Sequence, residues 1–252
     1  MPSHLSSLGF SINSEREFND LMGLAARNAT EFRVQDGLYL RWRCPSGVEL
    51  WVQANKAGDL IGMNPHFDAR PTLVVGCIGR ELRGNVTVLD GAFYAWASPD
   101  GDVDNGAYPF VFDCPDFQRY DGLSLPSIQT ARITAFAREL DVHVSREAYY
   151  STRGDGPRIP EKFFIPSGLF TPDCESTEIP SAHAIFTGRV LSSAELVNTL
   201  TGLPFVALEV ETYGGTYGVV VDAGLVAQVP APDSIISGSF WLSGRFIESP
   251  AD

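Results

Sequence analysis

The chain is short of positive charge. Its 252 residues carry 18 Lys and Arg against 31 Asp and Glu, a formal net charge of −13 at pH 7. Such a field repels phosphate backbones and anionic lipid surfaces, because affinity for those polymers comes largely from Lys and Arg neutralising phosphate. General nucleic-acid or membrane binding is therefore disfavoured. Cysteine is scarce too. Cys44, Cys77, Cys114 and Cys174 are widely spaced and none forms C-x-x-C. That excludes a local zinc ribbon and does not suggest a disulfide framework, so single thiols in a reducing cytoplasm are the expectation. No apolar run approaches the ~18 residues of a transmembrane helix. The opening Met1–Phe10 stretch lacks both the basic segment and the long apolar segment of a secretory signal. The G-x-S-x-G elbow, the G-x-G-x-x-G turn and the Walker loop are all missing.

What is present is material for a core. Hydrophobic residues make up 44% of the chain, enough for one large domain or two small ones. Three textures follow one another, and they set expected segments at residues 1–70, 71–178 and 179–252. The fold class they predict is α+β and strand-dominated.

The first segment reads as β-α-β-β-β. Leu8, Phe10 and Ile12 alternate as in a strand. Ser14-Glu15-Arg16-Glu17 has the form of a capping box, and Phe18, Leu21, Met22 and Ala25 then recur at helical spacing up to about Asn28. Asp36-Gly37 predicts a hairpin turn, and Leu38, Leu40 and Trp42 alternate against Tyr39, Arg41 and Arg43. Another strand enters through "CPSGVELWVQ".

The middle segment reads as further strands: "PTLVVGCIG", "NVTVLDGAFYAWA" with a turn at Asp90-Gly91, and "YPFVFDCPDF". Residues 127–145 fit a helix through Ile133, Phe136, Ala137 and Leu140. They fit a strand through Phe136, Leu140, Val142 and Val144, and the Val-rich end favours the strand. Ser151–Lys162 reads as a polar loop that contains Arg-Gly-Asp by chance. The last segment offers a long strand from His183, a meander, a short helix at 223–227 and a final strand in "SGSFWLSGRF". That is the order of an OB-like β-barrel with one strand missing or borrowed. Its Glu195, Glu209, Glu211, Asp222 and Asp233 outnumber Arg189 and Arg245, so a structural or protein-binding unit is expected rather than a single-strand binder.

Glu49 is the conspicuous residue, a carboxylate between Val48 and Leu50. Hairpin register gives it a plain task. A three-residue loop, Pro45-Ser46-Gly47 with Gly47 left-handed, keeps the apolar faces together. Trp42 then opposes Leu50 and Leu40 opposes Val52. On the other face Arg43 opposes Glu49, Arg41 opposes Trp51, and Tyr39 opposes Gln53. A cross-strand ion pair on this face is worth ~0.2–1 kcal/mol, with an Arg–Trp contact beside it. The same face, Tyr39, Arg41, Arg43, Glu49, Trp51 and Gln53, is the candidate ligand-binding surface, suited to an anion.

Other motifs carry less. Asp100, Asp102 and Asp104 have the 1, 3, 5 spacing of a calcium loop, but Asn105 and Val111 stand where Gly and an acid belong. An acidic solvated turn is the plainer reading. His4, His66, His143 and His183 form no local metal-ligand pattern. Aromatic clusters such as "FIPSGLF" and "FWLSGRF" read as packing at strand ends, or as a partner patch where exposed.

The βαβββ order together with Gly47-x-Glu49-Leu50 resembles one module of the vicinal oxygen chelate superfamily, which includes the glyoxalases and bleomycin-resistance proteins. The resemblance covers roughly residues 4–66. It implies that Glu49 is a metal ligand, with His4 or His66 as a second. The closing Ser237–Arg245 stretch also resembles the last strand of a set of bacterial proteins, which implies no activity. The leading expectation is a cytoplasmic, non-enzymatic protein that binds a small molecule or a protein partner and needs no cofactor; it leaves self-association open. The alternative is a divalent-metal enzyme or binder of the vicinal oxygen chelate type.

Overall fold

The computed structural model describes residues 4–83, 87–152, 159–169 and 180–247. Cys174, Arg153-Gly154-Asp155, Asn85, Val86 and Phe170 lie outside them.

The fold is strand-dominated, as the alternating apolar patterns require. A 3-10 turn at Ser6–Leu8 leads into helix α1, Glu15–Arg27. Four strands follow: β1 (Thr30–Val34), β2 (Gly37–Arg43), β3 (Val48–Asn55) and β4 (Leu60–Phe67). They form an antiparallel sheet in chain order. Then come β5 (Leu73–Leu82), β6 (Gly91–Ala97), β7 (Tyr108–Cys114), β8 (Ser127–His143), the short helix α2 (Arg146–Ser151), and β9 (Phe163–Ile165). The last four strands are β10 (His183–Val197), β11 (Pro204–Thr212), β12 (Gly215–Asp222) and β13 (Ile235–Phe246). These nine strands make a second sheet in the order β11-β12-β8-β5-β6-β7-β13-β10-β9, with β10 also paired to β11 and β8 to β13. The sheet thus crosses the boundary expected near residue 178. One apolar core draws on all three segments, from Leu5 to Phe246. No helix among the described residues is long and apolar enough to cross a membrane.

Local chemistry explains the starts and stops. Ser14 caps α1 by accepting the Glu17 amide at 3.2 Å, while Glu17 reaches back to the Asn13 amide at 2.7 Å. The helix turns Leu21, Met22 and Ala25 into the core. Residues 127–143 are one long strand, paired along most of its length with β13. The ladder with β13, which runs from Ala131 to His143, decides what β8's own sequence left ambiguous.

Three expectations need correction. The predicted first strand is the 3-10 turn followed by extended chain without ladder partners, so the order is α-β-β-β-β. Leu8 and Phe10 are buried there, but their backbone is held by side chains of the β10–β11 connection: Asn198 Nδ2 donates to the Leu8 carbonyl at 2.8 Å and Thr201 Oγ1 to that of Gly9 at 2.6 Å. Short apolar alternation marks burial as readily as strand. The turn expected at Asp90-Gly91 is also displaced. Leu82 pairs with Gly91, so Asp90 ends a longer connection and Thr87–Asp90 is not strand. The first hairpin turns at Gln35-Asp36, one residue earlier than expected, because Val34 pairs with Gly37.

The β2–β3 hairpin has the register that its faces demand. Trp42 lies opposite Leu50, Arg41 opposite Trp51, Arg43 opposite Glu49 and Tyr39 opposite Gln53. Cys44 N donates to the Val48 carbonyl at 3.0 Å, closing a loop of Pro45, Ser46 and Gly47. Gly47 has φ 93°, and a Cβ there would lie 3.2 Å from the Phe67 ring. Gly47→Ala is expected to destabilise the protein by about 1–2 kcal/mol, through left-handed strain. Urea denaturation of the two proteins checks this, and an unchanged midpoint would show that the loop has an equally good alternative.

Candidate functional site

Strand β3 is buried from Val48 to Ala54, so neither of its faces looks at water. Leu50 and Val52 join the main core, while Trp51 and Tyr39 form a small second cluster with Leu89. Across the first sheet the row Arg43–Glu49–His66 runs from β2 through β3 to β4. On β3 the polar face predicted from hairpin register is therefore an interior face, while Arg43 at the end of β2 stays half exposed, and the face closes on the end of β13 and the 3-10 turn Phe117–Tyr120.

A cavity of about 340 Å3 lies there. Five arginines line it: Arg41 and Arg43 from β2, Arg119 from the turn after β7, Arg132 from β8 and Arg245 from β13. Glu49, His66 and Asp68 supply its other polar side chains, and Phe32, Phe246 and Ile247 its apolar ones. Arg132 and Arg245 are direct cross-strand partners in the β8–β13 ladder.

Each charge has a defined environment. Glu49 is fully buried. Its Oε2 accepts from Trp51 Nε1 at 2.9 Å and from Arg245 Nη1 at 3.4 Å. Its Oε1 has no hydrogen-bond partner, with Arg41 Nη1 and Arg43 Nε both 3.8 Å away. The ion pair foreseen with Arg43 is thus a loose one. Arg43 instead holds Asp68 Oδ2 at 2.6 Å, and Arg132 holds the other oxygen of Asp68 at 2.7 Å. Arg245 donates from Nε (3.1 Å) and Nη2 (2.9 Å) to the buried Asp116, which also accepts from Arg119 at 2.9 Å. The rings carry part of the load: Arg245 sits 4.4 Å from the Trp51 ring centroid, Arg119 4.4 Å from that of Phe32, and Arg41 5.2 Å from that of Phe32.

Burial pushes the Glu49 carboxyl above its ordinary range, against Arg245, the Trp51 hydrogen bond and Arg41, which pull it down. Burial likewise lowers His66 well below the usual imidazole value, helped by Arg245 and Arg132, so His66 is neutral near pH 7. Its Nδ1 pairs with Ser243 Oγ at 2.9 Å. Burial alone would lower Arg245, but the Asp116 carboxylate outweighs it and holds the guanidinium charged.

Of the surface foreseen from sequence, Arg41, Arg43 and Glu49 line the cavity, and Trp51 lies beneath Arg245. Tyr39 and Gln53 do not reach it. Tyr39 is buried, donating to the Leu89 carbonyl at 2.7 Å and accepting the Gln118 amide at 3.0 Å. Gln53 donates to Asp90, which also accepts from Asn64 at 2.7 Å. They lie farther along the same face, where Leu89 covers it. Among the metal candidates, Glu49 and His66 are neighbours across the β3–β4 ladder. His4 stacks on Trp241 with ring centroids 4.0 Å apart, and is lowered to about 4 by burial, then by Arg138 and His183. It takes no part in lining the cavity. Asp100, Asp102 and Asp104 are exposed on the β6–β7 turn. No group of three or more His, Cys, Asp or Glu side chains is arranged to hold a metal ion among the described residues.

Sequence reasoning missed Arg119, Arg132, Asp68 and Asp116 and used Arg245 only as a counter-charge. No family model matches the chain, and no curated protein or solved structure matches it.

Glu49 is the residue to perturb. Glu49→Leu strands Trp51 Nε1 and a guanidinium N–H without an acceptor, and is expected to cost about 2–4 kcal/mol in urea denaturation. Glu49→Gln is milder and changes the pH dependence. With its folded pKa raised, Glu49 contributes stability that is fully present below the ordinary value of 4.5 and lost as pH rises through the raised value. The Gln variant mimics the protonated form, so its stability relative to wild type should improve as pH rises through that window. A difference that stays constant with pH would show that Glu49 titrates normally.

Proposed function

We propose that the chain is a non-enzymatic binding protein and that the arginine-lined cavity takes a small polyanion. The observation that carries this reading is the convergence of five guanidiniums on one cavity, two of them directly opposed across a ladder. Like charges opposed on neighbouring strands destabilise a sheet. A bound anion would offset that cost. Guanidinium forks match carboxylate and phosphate oxygens in geometry as well as charge. The volume sits at the lower end of small-molecule sites, which run from roughly 300 to 1,000 Å3, and suits a metabolite-sized ligand. Binding is favoured over turnover because the cavity's imidazole, His66, is held neutral and weakly basic by burial.

The vicinal oxygen chelate reading draws support from Glu49 and His66 lying side by side. Their surroundings fit a divalent cation poorly. Glu49 Oε2 and His66 Nδ1 already have partners, and Arg41, Arg43 and Arg245 surround the carboxylate. We therefore favour the anion. The OB-like reading of the last segment rests on the circuit of pairings β11–β12, β12–β8, β8–β13, β13–β10 and β10–β11, in which β8 is the borrowed strand.

Inorganic phosphate, pyrophosphate and citrate should each raise the melting temperature, by more than sodium chloride does at equal ionic strength. A ligand at a hundred times its Kd adds ~2.7 kcal/mol. Arg132→Gln should leave the anion-free stability within about ±0.5 kcal/mol, since Arg43 still holds Asp68 and the opposed pair is relieved. The same variant should lose most of the anion-induced shift. Equal shifts in variant and wild type, or none beyond the salt control, would overturn the reading.

A further inference from the structure

We propose that the cavity's ligand carries a hydroxyl group beside its anionic group, with that hydroxyl donating to Glu49 Oε1. The inference rests on the polyanion reading and narrows it to hydroxylated polyanions.

Two of the residues that line the cavity each hold a buried side-chain atom without a hydrogen-bond partner: Glu49 Oε1, an acceptor, and Arg132 Nε, a donor. Native proteins pair nearly all their buried polar atoms, and an exception calls for an explanation such as strain, a bridging water or an absent ligand; Gln53, Arg83, Thr187 and Arg189 hold others away from the cavity. The two are chemically complementary. Arg132 Nε asks for an anionic oxygen. Glu49 Oε1 asks for an O–H or N–H, and the arginines beside it leave it unsatisfied, 3.8 Å away on both sides. A plain polyanion satisfies Arg132 and repels Glu49. An ammonium group would satisfy Glu49 but meets five guanidiniums around the same space. A hydroxyl satisfies Glu49 with no charge cost. A site built around a buried acceptor discriminates strongly against analogues that lack the matching donor.

Both hydroxycarboxylates and hydroxylated phosphates have this chemistry. The test uses matched pairs that differ by one hydroxyl: citrate against propane-1,2,3-tricarboxylate, malate against succinate, and 2-hydroxypropyl phosphate against propyl phosphate. Inorganic phosphate is the reference. Affinities come from calorimetry on the full chain. In at least one family the hydroxylated member should bind wild type about 10- to 100-fold more tightly, and the favoured family identifies the anionic group. In Glu49→Gln the preference should shrink several-fold while the hydroxyl-free partner binds no worse, because a repelling charge is gone. Equal affinities within all three pairs, with anions still binding, would overturn the inference and leave the polyanion reading standing. So would proton uptake on binding without hydroxyl preference, which would make Glu49 itself the donor. If no anion binds at all, both readings fall together.

Discussion

A buried guanidinium needs acceptors, and Arg245 finds them on two separate parts of the chain. Asp116 lies in the connection after β7, and Glu49 lies on β3 of the other sheet. Arg245 therefore ties the four-stranded sheet to the nine-stranded one with a single side chain. The chain of contacts extends at both ends, through Asp116 to Arg119 and through Glu49 to Trp51. Signs alternate along it, which a water-poor interior requires, since an unpaired buried charge is far more costly than a paired one. Such a network adds little net stability against a well-packed apolar alternative. Its value is positional. It holds several charged groups within one small volume at fixed spacing.

The composition fits that task. The chain has only two lysines, Lys56 and Lys162, and its other basic residues are arginine. Arginine stays charged when buried, stacks on rings and donates in a planar fork. All three properties appear at this site. Trp51 and Phe32 support guanidiniums from below, and Asp68 is gripped from both sides by Arg43 and Arg132. A lysine at position 245 could not bond Asp116 from two nitrogens while reaching Glu49 with a third.

Legibility in the sequence followed the range of the forces. The β2–β3 hairpin was readable because period-2 alternation, a Gly at the one left-handed position and the penalty for mismatched faces act over fifteen residues. That was enough to put Arg41, Arg43 and Glu49 on one side of one sheet. The first segment was misread because Leu8 and Phe10 are buried by strands almost two hundred residues later, and burial alone does not distinguish strand from irregular chain. The other half of the site was invisible for the same reason. Arg132 looks like a surface charge within an ambiguous stretch, and Arg245 like a counter-ion in an acidic segment. The β8–β13 ladder brings them opposite each other, and the packing of that ladder on β3 and β4 sets Arg245 against Glu49 and Arg132 against Asp68.

The acidic exterior and the basic cavity look contradictory until distances are considered. At physiological ionic strength the screening length is about 8 Å, so most of the chain's net charge of −13 is hidden from an ion inside the cavity. There the nearest charges are five arginines against Glu49, Asp68 and the buried Asp116, which leaves a local excess of positive charge. A long polyanion, whose charges extend beyond the cavity, feels the chain's net negative charge as well as the arginines. A small one feels only the cavity. On the proposed reading the arrangement would select for compact anions by size before any hydrogen bond is made, and the unpaired atoms of Glu49 and Arg132 would then sort among those that enter.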